Sequence, residues 1–255
     1  METAPTAPMI FWWVYVMIRL NKYLSDAGVC SRREGDRMIE SGRVSVDGNP
    51  AKLGMRISGE EKILVDGKPV KGEASKVYLA YHKPRGIVCT FEKKEKHNLG
   101  TAFSYPVRVT YAGRLDKESE GLLLLTNDGE MINQMMRARN YHEKEYVVQV
   151  DRELNREFME GMAGGVFLSE LNVKTRPCKV VKSGAREFHI TLTQGLNRQI
   201  RRMCGEFQYR VTKLKRIRVM NILLGELKPG ELRTLTNGEL ELLKKQLESD
   251  RRAEE

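Results

Sequence analysis

The feature that most constrains the fold of this chain is a run of four leucines at residues 122–125, which ends in a polar Thr-Asn-Asp-Gly segment. A short apolar run that is closed by turn residues is typical of a buried strand. The loop before it carries Asp116 and has a glycine near each end, Gly113 and Gly121. Catalytic side chains often lie on loops held by a rigid element, but most loop aspartates only cap turns. The pattern alone therefore favours a turn-capping role for Asp116.

The composition indicates a globular protein with an excess of positive charge. The chain has 255 residues, of which 40% are hydrophobic and 31% charged, and 44 Lys and Arg against 34 Asp and Glu give a net charge of +10. This length is enough for one large domain or two smaller ones with a substantial core. The charge favours a polyanionic partner, most commonly nucleic acid, but it does not separate RNA from DNA or from a membrane surface.

The four cysteines (Cys30, Cys89, Cys178 and Cys204) are far apart in the sequence and form no close pair. Their spacing does not resemble a zinc site, and a disulfide framework is not expected in a chain of this size. We therefore expect a reducing, cytoplasmic setting and no bound metal.

The N-terminus carries an apolar stretch at residues 9–18, which is only ten residues long. A membrane-spanning helix needs about 20 residues, so no membrane association is expected. We interpret residues 1–18 as an upstream extension, with the chain proper opening at Met17. The alternative is a hydrophobic patch that docks on the body of the protein.

Residues 19–70 are predicted to form a compact domain of two helices and two strands. The first helix begins at Asn21 and ends at Gly28, and Ser31 and Glu34 form a capping box for a second helix that ends at Gly42. Strands with Asp-Gly turns follow at residues 43–48 and 63–67.

This domain resembles the S4 RNA-binding domain. The resemblance lies in Arg-Leu-Asn-Lys-Tyr-Leu at 19–24, Cys-Ser-Arg-Arg at 30–33 and Gly-Arg-Val at 42–44. Charge runs are usually solvated helix faces, but three clustered arginines within a matching pattern favour contact with RNA phosphates. The residues that the resemblance assigns to RNA binding are Arg19, Lys22, Arg32, Arg33, Arg37 and Arg43.

A polar linker at 71–76 is expected before a second domain at 77–249 and a charged tail at 250–255. Strands are predicted at residues 77–82, 87–90, 122–125, 145–150, 173–181 and 187–193, and helices at 131–136, 155–162 and 236–247. Because they mix without a regular βαβ alternation, the predicted class is α+β, with a largely antiparallel sheet. Met131, Ile132, Met135 and Met136 have helical spacing and are interpreted as core.

The Asp116 segment resembles the active-site signature of the RsuA-type ribosomal pseudouridine synthases. The match runs from Gly-Arg-Leu-Asp at 113–116 through Ser119 and Gly121 to the leucine run and its Thr-Asn-Asp-Gly ending. The resemblance implies that Asp116 is the catalytic residue and that no cofactor is needed. A carboxylate suits this reaction, because it can attack as a nucleophile or stabilise a positively charged sugar.

Two further segments resemble motifs of this family. In residues 194–204 the arginine that pairs with the catalytic aspartate corresponds to Arg201, and Ile200 is the apolar wall beside the base. In residues 142–146 Tyr146 corresponds to the tyrosine that stacks on the target base, although an aromatic residue at a strand start is usually core. The resemblance also implies that Arg114 fills the space left by a flipped base.

The motif around Arg201 also permits a simpler interpretation, as a basic helix start that binds phosphate through Arg198 and Arg202. Both interpretations can hold, because Arg201 and Arg202 point about 100° apart on a helix. Together with Asn197, these two arginines are assigned to substrate binding. Lys213 and Lys215 lie on one face of a predicted strand, and we expect them to contact the RNA backbone.

Within the family, residues 140–146 and 195–204 are most similar to the RluF branch, which modifies 23S ribosomal RNA. The expected substrate is therefore a uridine of large-subunit ribosomal RNA, with a transfer RNA left open as a second substrate and a monomer as the expected state. Members of that branch often carry a long basic tail, whereas this chain ends Arg-Arg-Ala-Glu-Glu. The rival functions are a non-catalytic S4-type ribosome-assembly factor and a hydrolase, which would need a second acidic group.

Overall fold

The computed structural model describes residues 17–72, 74–137 and 141–252. Residues 1–16 of the apolar extension and residues 253–255 of the charged tail lie outside the described residues. Two compact units divide the chain, Met1–Ser75 and Lys76–Glu255. Within the described ranges, no helix has the length and apolar character that crossing a bilayer requires.

The first unit places two helices against a small four-stranded antiparallel sheet, with a separate two-stranded antiparallel pair. Both predicted helices are confirmed, and the Ser31 hydroxyl accepts the Glu34 amide at 3.1 Å. The apolar residues of both helices meet the inward residues of the strands in one core. The elements are β1 Ile18–Arg19, α1 Leu20–Asp26, α2 Arg32–Glu40, β2 Val44–Val46, β3 Asn49–Pro50, β4 Arg56–Ile57, β5 Ile63–Val65 and β6 Lys68–Pro69.

The second unit is built on a nine-stranded sheet. Its elements are β7 Tyr78–Lys83, α3 Leu99–Ala102, β8 Thr110–Ala112, β9 Glu120–Thr126, α4 Gly129–Met136, β10 Lys144–Val150, α5 Arg156–Gly164, β11 Phe167–Leu168, a 3-10 turn Ser169–Leu171, β12 Val173–Lys174, β13 Lys179–Gly184, β14 Glu187–Leu192, α6 Gln199–Glu206, β15 Val211–Val219, β16 Ile222–Leu223, β17 Leu232–Thr234 and α7 Asn237–Arg252.

The main sheet has the order β13-β14-β10-β15-β9-β7-β17, with β16 added to β15 and β8 added to β9. Every pairing in it is antiparallel except that of β15 with β9, so the predicted α+β class with a largely antiparallel sheet is confirmed. The capping box of the last helix is also present. The Thr236 hydroxyl accepts the Glu239 amide at 3.2 Å, and the Glu239 carboxylate accepts the Thr236 amide at 2.8 Å.

The leucine run forms β9 and is buried on both faces, as predicted. Leu122 and Leu124 join a core shared with α4 and α7, while Leu123 and Leu125 join a second core on the opposite face. This alternation follows from the period of two along a strand. The strand is therefore a rigid support for the loop that carries Asp116.

Three local predictions were wrong. The strand predicted at 173–181 is two strands, β12 and β13, with Pro177 in the gap, where proline cannot donate to a ladder. The segment 87–90 forms only an isolated bridge between Val88 and Asn98, and the Ile87 carbonyl accepts a hydrogen bond from the Lys83 ammonium. Met136 is 46% exposed rather than core, whereas Met131 and Met135 are buried.

Gly121 is required where β9 meets β15, because the two backbones approach closely there. Its φ is +109°, and a Cβ at this position would overlap the Arg216 carbonyl oxygen and lie 2.6 Å from the Arg216 amide nitrogen. Gly121→Ala is therefore expected to lower the free energy of unfolding by at least about 2 kcal/mol, measured by denaturant unfolding.

Gly238→Ala is the matched control, because Gly238 lies in α7 with open space around its Cβ position and no positive φ. It should change the free energy of unfolding by no more than about 1 kcal/mol, in the stabilising direction. Equal stability of the two variants would contradict the close approach.

Candidate active site

Asp116 lies on the loop between β8 and β9, in the wall of an open cleft of about 530 Å³. Its side chain is 31% exposed, so the carboxylate is accessible from the cleft. Six of the eight residues expected to be catalytic or substrate-binding line this cleft. They are Arg114, Asp116, Tyr146, Asn197, Arg198 and Ile200.

The loop is held by main-chain hydrogen bonds on both sides of Asp116. The Leu115 amide donates to the Cys89 thiol sulfur at 3.4 Å, and the Lys117 carbonyl accepts the Gly86 amide at 2.7 Å. The Asp116 carbonyl accepts the Ser119 amide at 3.1 Å, which closes a tight turn. These bonds orient the carboxylate before any substrate arrives, which is what catalysis by a positioned group needs.

Two guanidinium groups lie beside the carboxylate. The Asp116 Oδ2 atom is 3.7 Å from Arg198 Nη1 and 3.9 Å from Arg201 Nε, within ion-pair range but beyond hydrogen-bond distance. Burial lowers the pKa of Arg201 from its ordinary value, and the neighbouring Arg198 charge lowers it further. Arginine remains protonated in such settings, so both groups present positive charge to the carboxylate.

Arg201 donates most of its hydrogen bonds to backbone carbonyls. Its Nη2 donates to the Glu118 carbonyl at 3.1 Å and to the Ser119 hydroxyl at 3.4 Å, and Nη1 donates to the Val211 carbonyl at 3.3 Å. Its side chain is only 15% exposed. Arg201 thus connects α6 and β15 to the Asp116 loop, in addition to lying beside the carboxylate.

Arg198 and Arg202 differ sharply in their surroundings. Arg198 precedes α6 in a left-handed conformation, with φ at +51°, and its half-exposed side chain lines the cleft. Arg202 instead donates to the Asn197 carbonyl at 3.0 Å and forms an ion pair with Glu170. It lines a neighbouring groove together with Arg198 and Arg201, so it lies outside the Asp116 cleft.

The apolar part of the cleft is formed by Tyr146 and Ile200. Tyr146 on β10 is half-buried, packs against two of the hydrophobic cores and borders the cleft. Ile200 is buried in α6 and also borders the cleft. Arg114 is exposed at the rim. Tyr146 and Ile200 thus give a cleft with many charged residues an apolar part.

Lys213 and Lys215 do not line the cleft. Side chains alternate along a strand, and it is Leu214 and Arg216 of β15 that line the cleft. The two lysines therefore project from the other face, where Lys213 lies 3.6 Å from the Glu120 carboxylate.

Three basic residues near the loop were not predicted as site residues. Arg216 is buried and borders the cleft, and the partly buried Lys144, two positions before Tyr146, also borders it. The period of two along their strands was the signal that could have found them. Lys83 is fully buried and donates to the Pro84 and Ile87 carbonyls at 2.8 and 2.7 Å, and burial lowers its pKa to about 8.

In the first unit, the predicted RNA-binding residues differ in whether they are already paired. Arg37 pairs with Glu34 at 2.5 Å, Lys22 with Asp26 at 2.5 Å, and Arg43 with Asp66 at 2.5 Å. Arg32 and Arg33 are exposed at the start of α2, where no described acidic side chain forms an ion pair with them. Arg19 precedes α1 and borders a small hollow of that unit.

Comparison with known proteins gives the family. Residues 77–206 match the family model described as RNA pseudouridylate synthase, and residues 18–63 match the S4 domain. The Escherichia coli (strain K12) protein named Dual-specificity RNA pseudouridine synthase RluF is 46% identical over 225 residues, which cover 88% of this chain and 77% of that protein. The chain belongs to the RNA pseudouridine synthase family.

Further relatives agree with this assignment. The Bacillus subtilis (strain 168) protein named Ribosomal large subunit pseudouridine synthase B is 35% identical over 237 residues, covering 89% of this chain and 96% of that one. A crystal structure of a pseudouridylate synthase superposes with a TM-score of 0.66 at 27% identity, covering 89% and 99% of the two chains. The chain is thus an RsuA-type, RluF-like pseudouridine synthase with an S4 domain.

Replacement of Arg201 tests its connection to the loop. Arg201→Lys keeps the charge but loses the fork that reaches the Glu118 and Val211 carbonyls, so the Asp116 loop should shift. We expect the single-turnover rate of pseudouridine formation to fall on the order of 100-fold. Arg156→Lys, on the exposed surface of α5, is the control and should retain the wild-type rate. A wild-type rate for Arg201→Lys would refute this role.

Proposed function

We propose that this enzyme converts a specific uridine of large-subunit (23S) ribosomal RNA to pseudouridine, with Asp116 as its catalytic residue. We further propose that it works as a monomer in the bacterial cytoplasm, where ribosomal RNA is made. The observation that carries the proposal is the position of Asp116 in an open cleft, within 4.0 Å of guanidinium groups from a distant part of the chain. The names of the relatives support the RNA class, since one is a large-subunit ribosomal enzyme.

A second RNA substrate is part of the proposal. The relatives with 46–47% identity are named dual-specificity enzymes, and we extend a second substrate to this chain, with transfer RNA as the class to test. The excess of basic residues is compatible with either RNA, because phosphate contacts carry little sequence information.

The proposed reaction begins with extrusion of the uridine from its stack. Unstacking costs a few kcal/mol, which contacts with the protein must offset. Tyr146 stacks on the base, Ile200 forms the wall on its other side, and Arg114 fills the space that the base leaves. Asn197 and Arg198 bind the backbone beside the extruded nucleotide, and Arg202 binds it in the neighbouring groove.

Isomerisation then exchanges one bond to the sugar for another. The N1–C1′ bond breaks with its electron pair on the base, the base turns, and a C5–C1′ bond forms. The C5 proton leaves and N1 gains a proton, so substrate and product are isomers and nothing is consumed. Asp116 serves as the nucleophile or stabilises the developing positive charge on the sugar, and Arg201 holds its loop.

Asp116→Asn tests the catalytic assignment. The amide keeps the size and removes the charge, so pseudouridine formation should be abolished while the dissociation constant for RNA stays within a few fold of wild type. Site-resolved pseudouridine mapping of ribosomal RNA, from cells with the wild-type or the variant gene, gives the readout and identifies the target. Parallel loss of RNA binding and modification would instead favour a non-catalytic RNA-binding protein.

The S4 arginines give a second test. Arg32 and Arg33 lack acidic partners among the described residues, whereas Arg37 and Arg43 are each paired with one. The Arg32→Gln/Arg33→Gln variant should reduce the slope of log affinity against log salt by roughly 1.5. The Arg37→Gln/Arg43→Gln control should reduce it less, because those charges are already partly neutralised. Identical slopes for both double variants would contradict phosphate contact at Arg32 and Arg33.

A further inference from the structure

Two cations line the Asp116 cleft without an acidic partner. Lys144 and Arg216 border the cleft, and neither forms an ion pair with any described carboxylate. Buried charges in proteins are nearly always paired. Their charge is therefore available to an anion that enters the cleft.

Arg216 is held by hydrogen bonds to the backbone, but not all of its guanidinium donors have a partner among the described residues. It is 2% exposed, and its Nε donates to the Leu122 carbonyl at 2.7 Å and its Nη1 to the Arg114 carbonyl at 3.5 Å. Its Nη2 is buried and has no hydrogen-bond partner among the described residues. A buried donor without a partner is costly, and a ligand acceptor would remove that cost.

Lys144 lies on β10, the strand that also carries Tyr146, and both border the cleft. Within the described residues its ammonium donates one hydrogen bond, to the His142 carbonyl at 3.2 Å, which leaves two ammonium protons for a ligand. Burial, with a smaller contribution from the Arg216 charge, lowers the pKa of Lys144 to about 8. The amine is thus mostly protonated at neutral pH and gains from meeting an anion.

The shape of the cleft favours a base over a phosphate. Tyr146, Leu192 and Ile200 supply apolar walls beside the two cations, which suit a flat ring with polar oxygens at its edge. Negative charge appears on the uracil by either chemical route. When the N1–C1′ bond breaks, the electron pair spreads from N1 to the O2 and O4 carbonyl oxygens, and addition of Asp116 to C6 would also leave an enolate oxygen.

We propose that Lys144 and Arg216 form a site for the carbonyl oxygens of the extruded uracil and stabilise the negative charge that it carries while detached from the sugar. This inference rests on the proposed reaction at Asp116. Preorganised donors aimed at developing charge act strongly in a shielded site, because they need no reorganisation during the reaction. Arg216 also supports the Arg114 carbonyl, so it links the uracil site to the Asp116 loop.

The test combines protein variants with modified substrates. A stem-loop RNA is made with uridine, 2-thiouridine or 4-thiouridine at the mapped target position, because sulfur is a weaker hydrogen-bond acceptor than oxygen. Single-turnover rates are measured for wild type, Lys144→Gln, Arg216→Gln and the surface control Arg156→Gln. RNA dissociation constants and melting temperatures are measured alongside.

With uridine, Lys144→Gln and Arg216→Gln should each lower the rate about 100-fold, with RNA affinity within a few fold of wild type. Replacing the contacted oxygen by sulfur should also lower the rate of the wild-type enzyme. The variant that lacks this contact should react with the same thio substrate almost as fast as it does with uridine. Arg156→Gln should match wild type on all three RNAs.

Either of two results would overturn the proposal. Both variants could keep the wild-type rate, or each could be slowed by the thio substrates as much as wild type is. In both cases Arg216 and Lys144 would have only a structural role. If Arg216→Gln does not fold, Lys144→Gln decides the matter, since Lys144 holds only one carbonyl. Failure of the proposed function has a different signature, namely no conversion by wild type or full activity of Asp116→Asn.

Discussion

The candidate active site depends on the parallel contact between β9 and β15, the one parallel pairing in the described sheet. It sets Gly121 against Arg216 and Glu120 against Lys215. The leucine strand β9, which supports the Asp116 loop, is thereby joined to β15. This strand begins five residues after α6, the helix that carries Arg201. Arg201 is thereby brought to the Asp116 loop, which lies about 80 residues earlier in the chain. Only a glycine at position 121 permits the two strand backbones to come this close.

Much of this arrangement follows from local pattern. The sequence predicts the capping residues Ser31 and Thr236 and the buried strand of the leucine run. These features depend on neighbouring residues alone. The α+β class followed from the order of the elements. The family motifs then supplied the expectation that Asp116 and Arg201 lie together, which no local rule provides.

Other features depend on tertiary contacts and were not predictable in this way. The sequence around Arg216 is a dense basic run, and its burial follows only from the pairing of β15 with β9 and β10. Met136 continues the apolar stripe of α4, but it is the last residue of that helix and is left at the cleft, where its sulfur lies beside Gly113. The ion pair of Arg202 with Glu170 was not predicted either, because Glu170 lies on a 3-10 turn that the sequence pattern did not indicate.

The sulfur that holds the Leu115 amide has a consequence for how this enzyme withstands oxidants. Cys89 borders the same cleft as Asp116, yet burial raises the pKa of its thiol. A protonated thiol is a poor nucleophile toward peroxides and alkylating agents, because the thiolate is the reactive form. The raised pKa therefore keeps the Cys89 thiol in its less reactive protonated form, which suits a sulfur whose role is to accept the Leu115 amide and hold the loop.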